Sequence, residues 1–222
     1  MPEIEEFFDE VDTNRSRRAR ELLEIKRWFT ARETDPFGIA SKAVVVLAYA
    51  QWEGFYNDCV SSYVAFLRMN GGRIRDTDWM MLVGAFDGMF QSLNDRRHSA
   101  EARRQFVADL REVLDCGYER FDVKVTQARS NLDFSRLRES YGILDFDIAR
   151  VQKFRLRIDR EIVLWRHQAA HGDQPDLSKL DVDKHIDLTN ELLLIVSDQF
   201  QEAMLARLSR GAPESSTAER MI

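Results

Sequence analysis

Apolar residues recur along this chain three and four positions apart, with polar residues between them, over nearly its whole length. That spacing is helical. Leu22, Leu23, Ile25 and Phe29 set a first helix over about 13–32, and Pro36 interrupts the pattern. Val44, Leu47, Trp52, Phe55, Cys59 and Phe66 mark the buried face of a long helix from Ile39 to Met69, which Asn70-Gly71-Gly72 should stop. Shorter helices are expected at about 77–90 and 100–115, the second closed by Gly117. Residues 117–145 carry the weakest pattern, with one short helix in DFSRLRESYGIL and a turn at Gly142. A helix over about 146–170, a loop containing Pro175 and a last helix over about 182–208 complete the chain.

The fold class that follows is all-α, an up-and-down helical bundle with extra helices. Its 222 residues suit one domain with a real core, and 10 Gly and 4 Pro are too few for a strand-and-turn architecture. Three stretches are expected: an acidic N-terminal segment at 1–12, a helical domain at 13–208 and a flexible tail at 209–222, where GAPESSTAERMI has few bulky residues. No apolar run exceeds the eight residues Ala43–Ala50, far short of the ~20 that cross a bilayer. The first thirty residues have no secretory core, and the two cysteines, Cys59 and Cys116, sit in apolar periodicity as buried thiols. A reduced, cytoplasmic setting without a membrane is the expectation.

Charge changes this picture locally. The net charge of −6 argues against nucleic acid as a partner on average, since phosphate binding needs positive charge. But residues 3–12 hold six acids and no base, which accounts for the whole excess. From Arg150 to His171, six bases face only Asp159 and Glu161. These bases could simply solvate one side of a helix.

Within that basic helix lies LWRHQAAHGD, residues 164–173. On a wheel at about 100° per residue, Ile148, Val151, Phe154, Ile158, Ile162, Trp165 and Ala169 form one apolar stripe. Leu156, Arg160, Val163, Leu164, His167 and His171 form a mixed second face, which suits an interface or cleft better than open solvent. Arg166 lies between the two and can reach either. Two such helices meeting across a two-fold axis would bring their arginines and histidines into one groove.

Three chemistries fit those ten residues. HQAAH is the HExxH pattern of zinc proteases with Gln168 in place of the glutamate that activates water, so hydrolytic zinc is disfavoured; a metal on His167, His171 and Asp173 lacks further ligands nearby. The histidines could also be plain polar groups at a helix end, where cations complement the carbonyl dipole. Third, Arg166-x4-His171 is a pair that needs no metal. The spacing alone is weak, as Arg160-x6-His167 shows, and its context, small residues followed by His-Gly at a helix end, adds weight. Serine or cysteine nucleophile motifs, a P-loop and a Rossmann glycine pattern are absent.

LWRHQAAHGD together with VVVLAYAQWEGFYNDCVSSYVAFL (Val44–Leu67) and NLDFSRLRESYGI (Asn131–Ile143) resembles the HEPN superfamily, most closely its MAE-type branch from bacterial defence and toxin–antitoxin loci. The likeness spans roughly residues 10–208. It implies a dimeric helical bundle that, in active members, cleaves RNA without a metal or other cofactor. The motif arginine maps onto Arg166, the variable polar residue after it onto His167, where asparagine is commoner, and the motif histidine onto His171. A neutralising antitoxin or other regulatory partner is implied as well.

The chemistry is consistent with those roles. RNA carries its own nucleophile, the 2′-hydroxyl, so cleavage needs a proton acceptor, a proton donor and positive charge for the phosphorane. A histidine, with an ordinary pKa near ~6.5, can exchange protons at neutral pH, and an arginine can grip phosphate oxygens in pairs. Arg160, Glu53 and Tyr49 are further substrate-binding candidates. Glu53 could orient an arginine of the site or be a surface carboxylate, and Tyr49 shares its helix face four residues earlier.

Overall fold

A computed structural model of the chain describes residues 2–30, 35–96, 99–129 and 131–211. Among the described residues there is no β-strand, only one bridge pair, Arg73 with Gly117, and the chain is an all-α bundle. Three long helices, α1 (Pro2–Thr30), α2 (Ile39–Asn70) and α10 (Val182–Gly211), pack on one another and build most of the core.

Helix α1 takes in the acidic start. The sequence reading set residues 1–12 apart, but Phe7 and Val11 lie four positions apart in that run and are buried, with Ile4 and Phe8 packed beside them. Glu5, Glu6, Asp9, Glu10 and Asp12 are exposed on the outer face of the same helix. Further along, the guanidinium of buried Arg18 donates to Asn14 Oδ1 (3.1 Å), Gln51 Oε1 (3.0 Å) and Asp58 Oδ2 (2.6 Å), which fixes α1 against α2. Gly54 of the AQWEGF run lies where a Cβ would come within 2.8 Å of that guanidinium. The small residue there permits the close approach.

Helix α2 keeps the bounds its periodicity predicts to within one residue, and the Gly71 N–H closes its last turn on Leu67 O at 2.7 Å. Its fully buried aromatics also carry polar handles. Trp52 Nε1 donates to Leu132 O (3.2 Å) and the Tyr56 hydroxyl to Thr126 O (3.1 Å), so α2 holds the irregular stretch before the next helix from below.

That stretch begins after a peripheral hairpin, α4 (Leu82–Asp95) and α5 (Ala100–Leu114), joined by Phe86, Phe90 and Phe106. The helix expected over 77–90 is broken at Asp78. A four-residue α3 (Ile74–Thr77) and a 3-10 turn precede α4, because the Asp78 carboxylate is drawn inward to the Arg207 guanidinium and the Tyr118 hydroxyl. Two more 3-10 turns lead to α6 (Phe134–Leu144), capped by the Asp133 side chain accepting from Arg136 N at 2.7 Å. The turn expected at Gly142 falls instead at Asp145, which ends α6 with a φ of 58°. Arg136 donates to the carbonyls of Lys124, Val125 and Gln127 and thereby shapes the loop leading to Asn131.

The segment expected as one helix over 146–170 follows a helical path with changing pitch. It runs through α7 (Ala149–Gln152), α8 (Arg155–Arg157), a seven-residue π-helical segment (Ile158–Leu164) and α9 (Trp165–Ala170). The wider π turn overrides the uniform wheel: Val163, expected on the mixed face, is buried beside Ile158 and Ile162. Leu156 and Leu164 remain exposed, at 63% and 46%. At the C-terminus α10 continues to Gly211, and the rest of the expected tail lies outside the described residues.

Candidate functional site

Helix α9 lies against α2, and this contact builds the site. Arg166 is half-buried and stacks on Tyr49, its Cζ 4.2 Å from the ring centroid, while Nη1 donates to Asn131 Oδ1 at 3.1 Å. Tyr49 is itself held. Its hydroxyl donates to Glu53 Oε1 (2.8 Å) and accepts from the Leu132 N–H (2.9 Å). Burial raises the Tyr49 pKa well above the usual phenol range, the Glu53 carboxylate adds to this and the Arg166 charge opposes it, so the ring stays a neutral π-face for the cation. Glu53 thus orients the arginine's aromatic platform.

The two histidines occupy the exposed end of the same helix. Their rings are one turn apart, with centroids at 4.4 Å and planes tilted by 50°. His171 closes the helix through its N–H to His167 O (3.1 Å), Gly172 follows at a φ of 82°, and Asp173 N reaches back to Gln168 O (3.0 Å). A left-handed residue directly after the helix, with a bond reaching back five positions, is the usual glycine stop. Lys42, at the start of α2, donates to Asp173 O at 3.3 Å and ties down this turn.

Five residues on an α-helix turn the chain by about 140° beyond a full circle. Arg166 therefore faces the Tyr49–Asn131 clamp while His171 faces outward, and the chain presents the two groups on different sides of α9. Arg160 lies elsewhere, on a groove formed with Trp165, Lys179 and His185. Of the six bases counted between Arg150 and His171, Arg150, Lys153 and Arg157 are paired with Glu202, Glu191 and Glu161. Arg155, Arg160 and Arg166 have no carboxylate partner among the described residues, Arg155 lying over the Phe134 ring, so the positive charge left over is at these three positions.

Asn131 was not singled out from sequence, although it opens the NLDFSRL stretch on which the family likeness rests. The one cue in the sequence is Asp133 as a cap, which marks where the loop ends but not where Asn131 points. Among the described residues no three His, Cys, Asp or Glu side chains cluster as a metal site would require, and no helix is long and apolar enough to cross a membrane.

These features define a class: an all-helical bundle whose irregular basic helix presents a clamped arginine and a terminal histidine pair. A model of the family RiboL-PSP-HEPN matches residues 13–202, and the chain belongs to the HEPN family. The sequence likeness pointed to the MAE-type branch of that superfamily, and the matching model carries the RiboL-PSP name. Comparisons with curated proteins and with solved structures each give no significant match. HEPN domains are often ribonucleases, and membership supports an RNase or nucleotide-related function.

Proposed function

We propose that the protein is a metal-independent endoribonuclease that cleaves RNA by transesterification and acts as a homodimeric toxin or defence effector. The observation that carries this reading is the Arg166 clamp. A guanidinium fixed by the Tyr49 ring and Asn131 needs little further ordering to meet a phosphate, and the histidine pair stands on the same short helix. In the reaction a base takes the proton of the ribose 2′-hydroxyl, its oxygen attacks the adjacent phosphorus, and the P–O5′ bond breaks as an acid protonates the leaving oxygen. The products are a 2′,3′-cyclic phosphate and a 5′-hydroxyl. His171 serves as acid or base, His167 assists at its side, and Arg166 neutralises the phosphorane.

The opposite facing of Arg166 and His171 makes a second protomer part of the proposal. A two-fold pairing along this helix would supply two histidines and two guanidinium groups to one groove. The same facing favours an alternative, a HEPN-fold module that binds RNA or nucleotide phosphate without turnover. Incubation of the purified protein with RNA in EDTA separates the two. Turnover by the wild type, reduced on the order of 10²- to 10⁴-fold in His171→Ala and strongly reduced in Arg166→Ala, supports the enzyme. Binding without cleavage supports the silent module, and equal cutting by the variants removes both residues from the site.

A further inference from the structure

Next to the motif helix lies an open groove of about 620 Å³ that the cleavage chemistry does not use. The π-helical segment and the start of α9 form one wall, with Arg160, Leu164 and Trp165. The opposite wall is the loop before α10, with Lys179, and the buried side chain at the base is His185, on α10.

Three observations give this groove a chemistry. First, His185 is only 2% exposed and both its ring nitrogens are unpartnered. A buried imidazole ordinarily finds a partner, and leaving its donor and acceptor unmet costs stability. Second, Arg160 and Lys179 form no close ion pair among the described residues, Asp176 being the carboxylate of the groove that feels the Lys179 charge, whereas Arg157 and Lys184 are paired directly with Glu161 and Asp181. Third, the groove offers a half-exposed indole, Trp165, whose ring lies 5.9 Å from that of His185. Cations outside close ion pairs, an aromatic face and an unmet donor–acceptor pair are together what a nucleotide requires for its phosphate, its base plane and its base edge.

We propose that this groove is a subsite for a nucleotide of single-stranded RNA flanking the scissile phosphate. It rests on the ribonuclease reading above for its substrate. The base lies against Trp165, a small movement of that ring opens His185 to the base edge, and Arg160 and Lys179 hold the neighbouring phosphates. Arg160 and Arg166 are six residues apart, at most roughly 9 Å along the helix, or two to three stacked nucleotide steps of about 3.4 Å. That rise is within the length of a short single strand, which must also wrap part of the way around the helix to meet both.

The test uses the full chain and a fluorescent eight-nucleotide RNA, 2′-O-methylated to prevent cleavage, with binding followed by anisotropy over a salt series. Each of Arg160→Ala and Lys179→Ala should lower the slope of log K against log salt by about 0.7, the value for one phosphate contact on a single strand. His185→Leu should weaken binding several-fold at an unchanged slope while raising the melting temperature, because it removes an unsatisfied polar group. On cleavable RNA, all three should lower the ratio of kcat/KM for an octamer to that for a dinucleotide. Unchanged slopes and an unchanged ratio would overturn the subsite while leaving the cleavage site intact. If Lys179→Ala instead shifts the dimer dissociation constant with no effect on the slope, the groove receives a second copy of the chain and the proposal fails. If the wild type binds with these slopes but cuts nothing, the groove stands and the proposed turnover does not.

Discussion

Replacement of Tyr49 separates the two things its side chain does. In Tyr49→Phe the aromatic face under Arg166 survives, but the Leu132 N–H and the Glu53 carboxylate lose the hydroxyl between them. A buried N–H left without a partner costs about 1–3 kcal/mol and the second bond about 1 kcal/mol, so global stability should fall by about 2–4 kcal/mol. Tyr49→Leu loses the same bonds and also the stacked cation, which contributes about 0.5–2 kcal/mol. In urea unfolding both variants should therefore be destabilised, the leucine one more. RNA cleavage discriminates more sharply. With the ring in place Arg166 keeps its platform, so Tyr49→Phe should retain a kcat/KM about two- to thirty-fold above that of Tyr49→Leu, the same 0.5–2 kcal/mol expressed as a rate. Equal rates for the two variants, at protein concentrations where both are folded, would show that the ring does not position Arg166.

Other expectations follow from the same contacts. Asn131→Ala removes the other restraint on Arg166 and should lower kcat/KM about ten-fold with little change in unfolding midpoint, since the lost bond is a part-buried one. Arg136→Ala frees three loop carbonyls and should cost about 2–3 kcal/mol by urea unfolding, with Asn131 loosened as a consequence. Burial lowers the pKa of His185 to about 4, with nearby Arg157 acting in the same direction and Glu161 against it. The neutral form is the one the fold accepts. This contribution is therefore complete above the unfolded value near ~6.5 and is lost as pH falls towards 4, amounting to about 3 kcal/mol. His185→Leu should flatten the pH dependence of stability over that window, and an unchanged curve would remove His185 as its cause. In cells, induced expression of the wild type should arrest growth and His171→Ala should not.

Much of this architecture is legible in the sequence because its long helices bury one continuous stripe. Helix α2 is the clearest case: its apolar spacing and the Asn-Gly-Gly stop leave no competing reading. Two failures have one physical origin, a tertiary contact stronger than local pattern. The acids of residues 3–12 mask Phe7 and Val11, whose burial is decided by packing, with the Phe7 ring against Tyr63 and Phe66 of α2, and Asp78 breaks a plausible helix because Arg207, far away in sequence, draws it inward. The π-helical segment is a third kind of failure. A wheel at constant pitch cannot show one extra residue in a turn, so Val163 was put on the wrong face while Leu156 and Leu164 were put on the right one. For the site, Arg166, His167, His171, Tyr49 and Glu53 were legible as candidates, and the structure brings Arg166, Tyr49 and Glu53 into one chain of contacts. Asn131 was not legible, because a lone asparagine in a loop acquires its direction from Asp133, Arg136 and Trp52, which hold the backbone on either side.

The central claim is that RNA supplies the nucleophile and the protein supplies only proton transfer and positive charge. End-group analysis of the products, by mass spectrometry on RNA incubated with the wild-type protein in EDTA, addresses it directly. The account predicts 2′,3′-cyclic phosphate and 5′-hydroxyl ends, with no cutting 3′ to any nucleotide whose 2′-hydroxyl is methylated. Cleavage at methylated positions, or 5′-phosphate ends that disappear with EDTA, would contradict it.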